Sequence, residues 1–216
     1  MTRAVTNPPQ LVIATANPHK LEELRAIFAP HHIQFLSLAD FPDDIREPDE
    51  SADSFLANAT IKATAYARAT GHPCLADDSG LEVDALDGQP GVHSAYYAGA
   101  DGTRAERDQR NNAKLLSALA HLPEGHPSRA ARFVCTMVLA SPDGDILATS
   151  RAEFPGIITS SPRGEHGFGY DPLLLLPDGR TSAELPPDEK NARSHRAAAA
   201  RAIVPRLVEL GFSYAI

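Results

Sequence analysis

The chain has 216 residues, 43% of them hydrophobic, and sets 20 Lys and Arg against 28 Asp and Glu for a formal net charge of −8. That length and apolar content suit one domain with a sizeable core. The acidic balance disfavours a duplex-binding role, because a polyanion is repelled unless a local basic patch overrides the field. Cys74 and Cys135 lie beside apolar residues and outside any C-x-x-C pattern. No disulfide framework is expected, and a reducing compartment, the cytoplasm, fits. Residues 1–10 lack the apolar run of a signal peptide or anchor, and no segment approaches a membrane span. They are expected to be disordered or extended, ahead of a single two-lobed domain over 11–216.

Leu11-Val12-Ile13-Ala14 reads as a buried strand. Asn17 is a good N-cap and Pro18 a good first helical residue, and Leu21, Leu24, Ile27 and Phe28 give the helix an apolar stripe that Pro30 stops. Lys20 falls in the first turn, where a cation opposes the helix dipole by ~0.3–1 kcal/mol unless an anion binds there. A phosphate cradle and a solvated surface lysine are both open readings. No Walker-type P-loop is present. His32 to Leu38 is a candidate second strand, and Asp40 to Asp53 an acidic loop closed by Glu50. A helix is predicted from Ser54 through Ala69, ending before Gly71, with Asn58 and Lys62 four apart on one face.

Leu75 to Val83 carries two adjacent carboxylates, Asp77 and Asp78, then Ser79-Gly80. At a strand end, a polar Ser-Gly turn and a site with at least one aimed carboxylate are both open. Leu86 to Gly99 reads as a structured loop. Thr103 to Glu106 matches a capping box before a helix with Leu115, Leu116, Leu119 and Leu122 inside. A hairpin is predicted from Arg132–Ala140, a Ser141–Gly144 turn and Asp145–Phe154, broken by Pro155-Gly156. Thr159 to Asp171 is loop-like and ends in Gly167-Phe168-Gly169-Tyr170-Asp171. An aromatic between glycines suits either a ligand approach or an ordinary turn. Leu173–Leu176 reads as a buried strand. Pro187 opens a last helix that carries Lys190, His195 and Arg196, is interrupted or kinked at Pro205 and stops at Gly211.

Six stretches then fall into one ordered pattern. They are Thr15–Glu23 (T/S-x-N-x-x-K-x-x-E), Glu50–Ala63 (E-T-G-x-T-F-x-E-N-A-x-x-K-A), Ala76–Leu81 (A-D-D-S-G-L), Pro90–Gly99 (P-G-x-x-S-A-x-Y-x-G), Gly167–Pro172 (G-F-G-Y-D-P) and Glu189–Arg196 (E-K-x-x-x-S-H-R). From Leu11 to Leu210 the chain resembles the inosine triphosphate pyrophosphatase family. The resemblance implies an elongated α/β protein with a mixed, twisted sheet flanked by helices and two lobes around a central cleft. It also implies hydrolysis of ITP, dITP and XTP to the monophosphate and pyrophosphate, and a homodimer, for which Tyr96-Tyr97 is a candidate contact. Ala52, Ala57, Pro186 and Ala197 depart from the pattern, and Ala57 removes a carboxylate common in the family.

A triphosphate brings ~4 negative charges to acidic groups, so Mg²⁺ is expected, with one or two carboxylates and phosphate oxygens around it. The expected ligands are Asp78, Glu50 and Asp77. The resemblance gives Asp78 the proton-acceptor role on a water activated by the metal. Thr15, Ala16, Asn17, His19, Lys20, Lys62 and Ser79 are expected to bind the substrate: Lys20, the amides at the Asn17 helix start and Lys62 on the phosphates, and Ser79 as a substrate contact that the resemblance implies. Phe168, Gly169, Tyr170, Asp171, Lys190, His195 and Arg196 are expected at the base. There Phe168 stacks on the purine, and donors reward an acceptor at position 6 where adenine carries an amino group. The remaining histidines show no zinc pattern. A Maf-like pyrophosphatase acting on other nucleotides and a non-catalytic nucleotide-binding protein are the alternatives.

Overall fold

The computed structural model describes residues 9–42 and 45–213. Most of the expected extended N-terminus, residues 1–8, and Asp43-Asp44 of the acidic loop lie outside the described residues. The elements run β1 (Leu11–Ile13), α1 (Pro18–Phe28), β2 (Phe35–Ser37), α2 (Phe55–Thr70), β3 (Cys74–Val83), α3 (Arg104–Ala118), β4 (Ala130–Ala140), β5 (Ile146–Ile158), β6 (Leu174–Leu175), α4 (Pro187–Arg193) and α5 (His195–Glu209), with short 3₁₀ turns between. The six strands form one sheet in the order β2-β1-β3-β4-β5-β6. β1 pairs in parallel with β2 and β3, whereas β5 and β6 are antiparallel, so the sheet is mixed. This is the expected α/β class.

The chain divides into two compact units, and the boundaries fall inside β3, β4, β5 and α5. The first comprises residues up to Asp78, Thr136–Arg151 and Ala199 onward. Its core gathers Val12, Ala14, Cys74, Ala76, Val138 and Ala140 from the strands with Ala59, Ala63, Tyr66 and Ala67 of α2. Alanine on the inner face of α2 lets the helix lie close to the sheet, and Tyr66 supplies the bulk. The second unit comprises Ser79–Cys135 and Ala152–Ala198. It is built on larger residues: Leu81, Val83, Leu115, Leu119, Phe133, Phe154, Ile158, Tyr170, Leu173, Leu174 and Leu185. Each large apolar side chain buried this way contributes ~1.5–3 kcal/mol.

Local signals placed most helix ends. Asn17 Oδ1 accepts from His19 N–H at 3.1 Å, Ser54 Oγ from Ala57 N–H at 3.2 Å, and Gly71 ends α2 at φ 70°. Thr103 and Glu106 form the expected capping box of α3. Three expectations need correction. Ser79-Gly80 does not turn: β3 runs unbroken from Cys74 to Val83, so the paired carboxylates sit mid-strand. Pro155-Gly156 does not break β5, because the pairing of Ile157 and Ile158 with β6 carries the strand past it. The single final helix is two, separated by Ser194 in extended conformation, which frees Ser194 Oγ to accept from Ala197 N–H at 3.2 Å. Pro205 sits inside α5 without ending it. Among the described residues no helix is long and apolar enough to cross a membrane.

Candidate active site

In the first unit the acidic groups are organised by two lysines. Neighbouring residues of a strand point to opposite faces, so Asp77 and Asp78 meet different partners. Asp77, 5% exposed, pairs with Lys20 Nζ at 2.9 Å, which places the first turn of α1 beside β3. Asp78 Oδ1 lies 3.1 Å from Lys62 Nζ, and the same ammonium is 2.6 Å from Glu50 Oε2. Lys62 is only 8% exposed. Burial alone would lower its pKa, but Asp78, Asp77 and Glu50 together raise it, so the ammonium stays charged. Burial lifts the Asp78 carboxyl above its ordinary range, against the downward pull of Lys62 and Lys20.

Asn58 belongs to this group. Its Nδ2 donates to Asp78 Oδ2 at 3.3 Å, and its Oδ1 accepts from Ala52 N–H at 3.0 Å. One buried amide therefore ties the loop that carries Glu50 to the carboxylate on β3. The signal was available in the sequence, since Asn58 and Lys62 interrupt the apolar inner stripe of α2 with polar groups. Among the described residues no three His, Cys, Asp or Glu side chains form a ready metal cage. Mg²⁺ needs only one or two protein carboxylates beside substrate oxygens. Glu50 and Asp78, two hard oxygen donors already converging on one cation, fit that need. Thr15 Oγ1 accepts from Asn17 N–H at 3.2 Å, so it shapes the turn into α1, while Ala16 and His19 are exposed.

In the second unit the segment 167–171 is held by a buried carboxylate. Asp171, 2% exposed, accepts from Phe168 N–H at 2.8 Å, Lys190 Nζ at 2.7 Å and Ser182 Oγ at 2.7 Å. Gly167, at φ 76°, passes so close that a Cβ there would lie 2.1 Å from Asp171 Oδ2. The Phe168 ring is half-buried and has three cations around it: Arg104 at 4.7 Å, Lys190 at 4.9 Å and Arg196 at 5.7 Å from its centroid. Each such contact is worth ~0.5–2 kcal/mol, depending on desolvation. Arg196, 1% exposed, donates to Ser79 Oγ at 3.0 Å, and the His195 ring stacks on Phe133 at 5.0 Å. Tyr170 is placed differently. Its side chain is in the core and its hydroxyl donates to Ser94 O at 3.0 Å, so only its main chain is available to a ligand. Arg104, Asp108 and Asn112 of α3 also reach this segment, and no local sequence pattern marked them.

The mixed sheet with its helices defines an α/β protein, and each unit carries one buried ion-pair group. The chain belongs to the Ham1 family, whose model matches residues 11–206. It is 48% identical over 200 residues to the dITP/XTP pyrophosphatase of an Exiguobacterium species, covering 92% of this chain and 97% of that one. It is also 48% identical over 196 residues to the dITP/XTP pyrophosphatase of Thermus thermophilus, covering 90% of each. Among solved structures, a HAM1 protein from Coxiella burnetii superposes with a TM-score of 0.82 at 37% identity, covering 93% of this chain and 99% of that one. A nucleoside-triphosphatase / dITP/XTP pyrophosphatase from Mycobacterium abscessus gives 0.71 at 40%, covering 91% and 99%.

Proposed function

We propose that this chain hydrolyses noncanonical purine nucleoside triphosphates (ITP, dITP and XTP) to the monophosphate and pyrophosphate. The observation that carries the reading is Lys62, a buried ammonium bridging Glu50 and Asp78. Relatives that share about half of its residues over nearly their whole length, and are named for this activity, support it. In phosphoryl transfer, catalysis is mostly positioning and charge stabilisation, and a lysine-organised carboxylate pair supplies both.

The residues take roles that follow from their partners. Asp78, with its pKa raised by burial, accepts the proton of the attacking water, and Asn58 fixes its second oxygen. Lys20, Lys62 and the main chain at Asn17 hold phosphate oxygens. Ser79, oriented by Arg196, gives the substrate a hydroxyl contact. Glu50 and Asp78 are the proposed Mg²⁺ ligands; Asp77, the third candidate, is engaged by Lys20 and fixes that lysine. Bound Mg²⁺ would neutralise charge on the triphosphate. Phe168 stacks on the purine, and Lys190, His195 and Arg196 supply cations and donors suited to a 6-oxo group. A buried donor facing the amino group of adenine loses its partner, at ~1–3 kcal/mol.

The same reading includes a homodimer in the cytoplasm with no nucleic-acid or membrane partner. The net charge of −8 and the exposed Tyr96 ring are in keeping with it, and sedimentation tests the dimer. A panel of triphosphates with product analysis tests the activity. Pyrophosphate release from ITP and XTP in preference to ATP and GTP is expected. Orthophosphate release, faster turnover of dTTP or UTP, or tight ITP binding without turnover would each refute it.

A further inference from the structure

Phe168 is positioned from two sides, and only one side belongs to the motifs that mark the site. On the first, Asp171 holds the Phe168 N–H. On the second, α3 reaches the next residue. Gly169 N–H donates to Asp108 Oδ2 at 2.9 Å, and Gly169 O accepts from Asn112 Nδ2 at 3.0 Å. Both main-chain groups of one residue, at φ 62°, are thus taken by side chains from an element 57 and 61 residues away. Arg104, Asp108 and Asn112 are spaced by four, so they lie along one face of α3. Arg104 places its guanidinium 4.7 Å from the Phe168 centroid and 3.9 Å from Asp108.

This grip is specific in its chemistry. The Gly169 carbonyl fixes which end of the Asn112 amide faces it, although that leaves Asn112 Oδ1 buried without a hydrogen-bond partner among the described residues. Gly169 has open space at its Cβ position, and its two hydrogen bonds tie it to α3.

We propose that Asp108 and Asn112 are positioning residues for the base: they clamp Gly169 from α3 and so fix the tilt of the Phe168 ring presented to the purine, with Arg104 held over that ring. The inference rests on the reading that Phe168 stacks on the base. Losing either clamp residue loosens the ring without touching the phosphates, so it weakens binding of substrate and transition state alike. That pattern raises KM and leaves kcat in place.

The test is steady-state kinetics on ITP for the wild type, Asp108→Ala, Asp108→Asn, Asn112→Ala and Phe168→Ala. Competitive inhibition by inorganic triphosphate, which has no base, is measured alongside. Asp108→Ala and Asn112→Ala are expected to raise KM about tenfold, the loss of one charge-assisted or geometry-fixing hydrogen bond, with kcat within about threefold. Asp108→Asn keeps an oxygen for Gly169 N–H and is expected to stay within about threefold of the wild type in KM. The inhibition constant for inorganic triphosphate should not move in any of them. If Phe168→Ala raises KM and the clamp variants do not, the clamp is refuted while base stacking stands. If Phe168→Ala leaves KM unchanged, the stacking reading falls and the clamp with it. A parallel rise in the inorganic triphosphate constant in the clamp variants would show general loss of structure and overturn the proposal.

Discussion

Arg129 carries the sharpest stability prediction in the molecule. It is 2% exposed, and its guanidinium donates only to main-chain carbonyls in the contacts observed. Nε donates to Ile158 O at 2.8 Å, Nη1 to Leu119 O at 3.0 Å and Leu122 O at 2.9 Å, and Nη2 to Thr159 O at 2.7 Å. It thereby closes the C-terminal end of α3 and pins the start of the 159–171 segment. Arg129→Met keeps much of the volume and strands the acceptors, though Leu119 O retains its bond from Leu122 N–H at 3.0 Å. Stranded acceptors cost about 1–3 kcal/mol each, and recovering the desolvation of the guanidinium offsets part of the sum, so the expected net loss is about 3–5 kcal/mol. For a chain of this length that lowers Tm by about 6–20 °C. Urea titrations of Arg129→Met and Arg129→Lys measure it. Lysine brings the charge without the planar fork, so it should recover less than half of the loss. A loss under about 1 kcal/mol in Arg129→Met would show that water replaces the guanidinium freely and that these carbonyls do not depend on it.

Three further outcomes are expected. Asn58→Ala should lower kcat/KM for ITP at least about tenfold, because Asp78 and the Glu50 loop each lose a hydrogen bond; wild-type kinetics in that variant would remove Asn58 from the site. Glu106 is held below its ordinary pKa of 4.5 by hydrogen bonds from Thr103 N–H and Oγ. Its capping contribution is therefore present above that value and is lost as pH falls through the lowered folded value, so Glu106→Gln should flatten the acid limb of stability against pH between about 5 and 3. An unchanged limb in acid titration would show that the cap does not report on folding. Cys74 is fully buried, and burial pushes its thiol up to about 11. At pH 8 about one molecule in a thousand carries the thiolate, so thiol reagents should leave the native protein unmodified and react only after denaturation. Rapid labelling of the folded protein would contradict the placement of Cys74 in the first unit's core.

What the sequence showed, and what it hid, follows from the range of each interaction. Asn17, Ser54, Gly71 and the Thr103–Glu106 box act within a few residues, and each was readable. Ser79-Gly80 was misleading because its turn propensity is local, whereas pairing in the sheet and burial of Ala76 and Leu81 hold the strand straight through it. The division of labour between Asp77 and Asp78 was half legible: alternation says they part, but only the tertiary fold says that Lys20 takes one and Lys62 the other. Arg129, Asp108 and Asn112 left no trace, because most of their main-chain partners lie tens of residues away, where no local pattern can mark them.

The inner face of α2 buries two polar side chains, Asn58 and Lys62, among its apolar ones. A helix packed on a sheet through Ala59, Ala63, Tyr66 and Ala67 would be steadier with apolar groups at 58 and 62 as well, since desolvating an amide and an ammonium costs free energy that their bonds only partly return. Both exceptions nonetheless point at Asp78. A structural ion pair needs one cation for one carboxylate. Lys62 serves two, and Asn58 spends its second hydrogen bond on the backbone beside Glu50. An arrangement that gathers excess negative charge around a single buried ammonium is poorly explained as a fold-stabilising device. Under the proposed function, a further cation and the phosphate oxygens it brings would balance that charge.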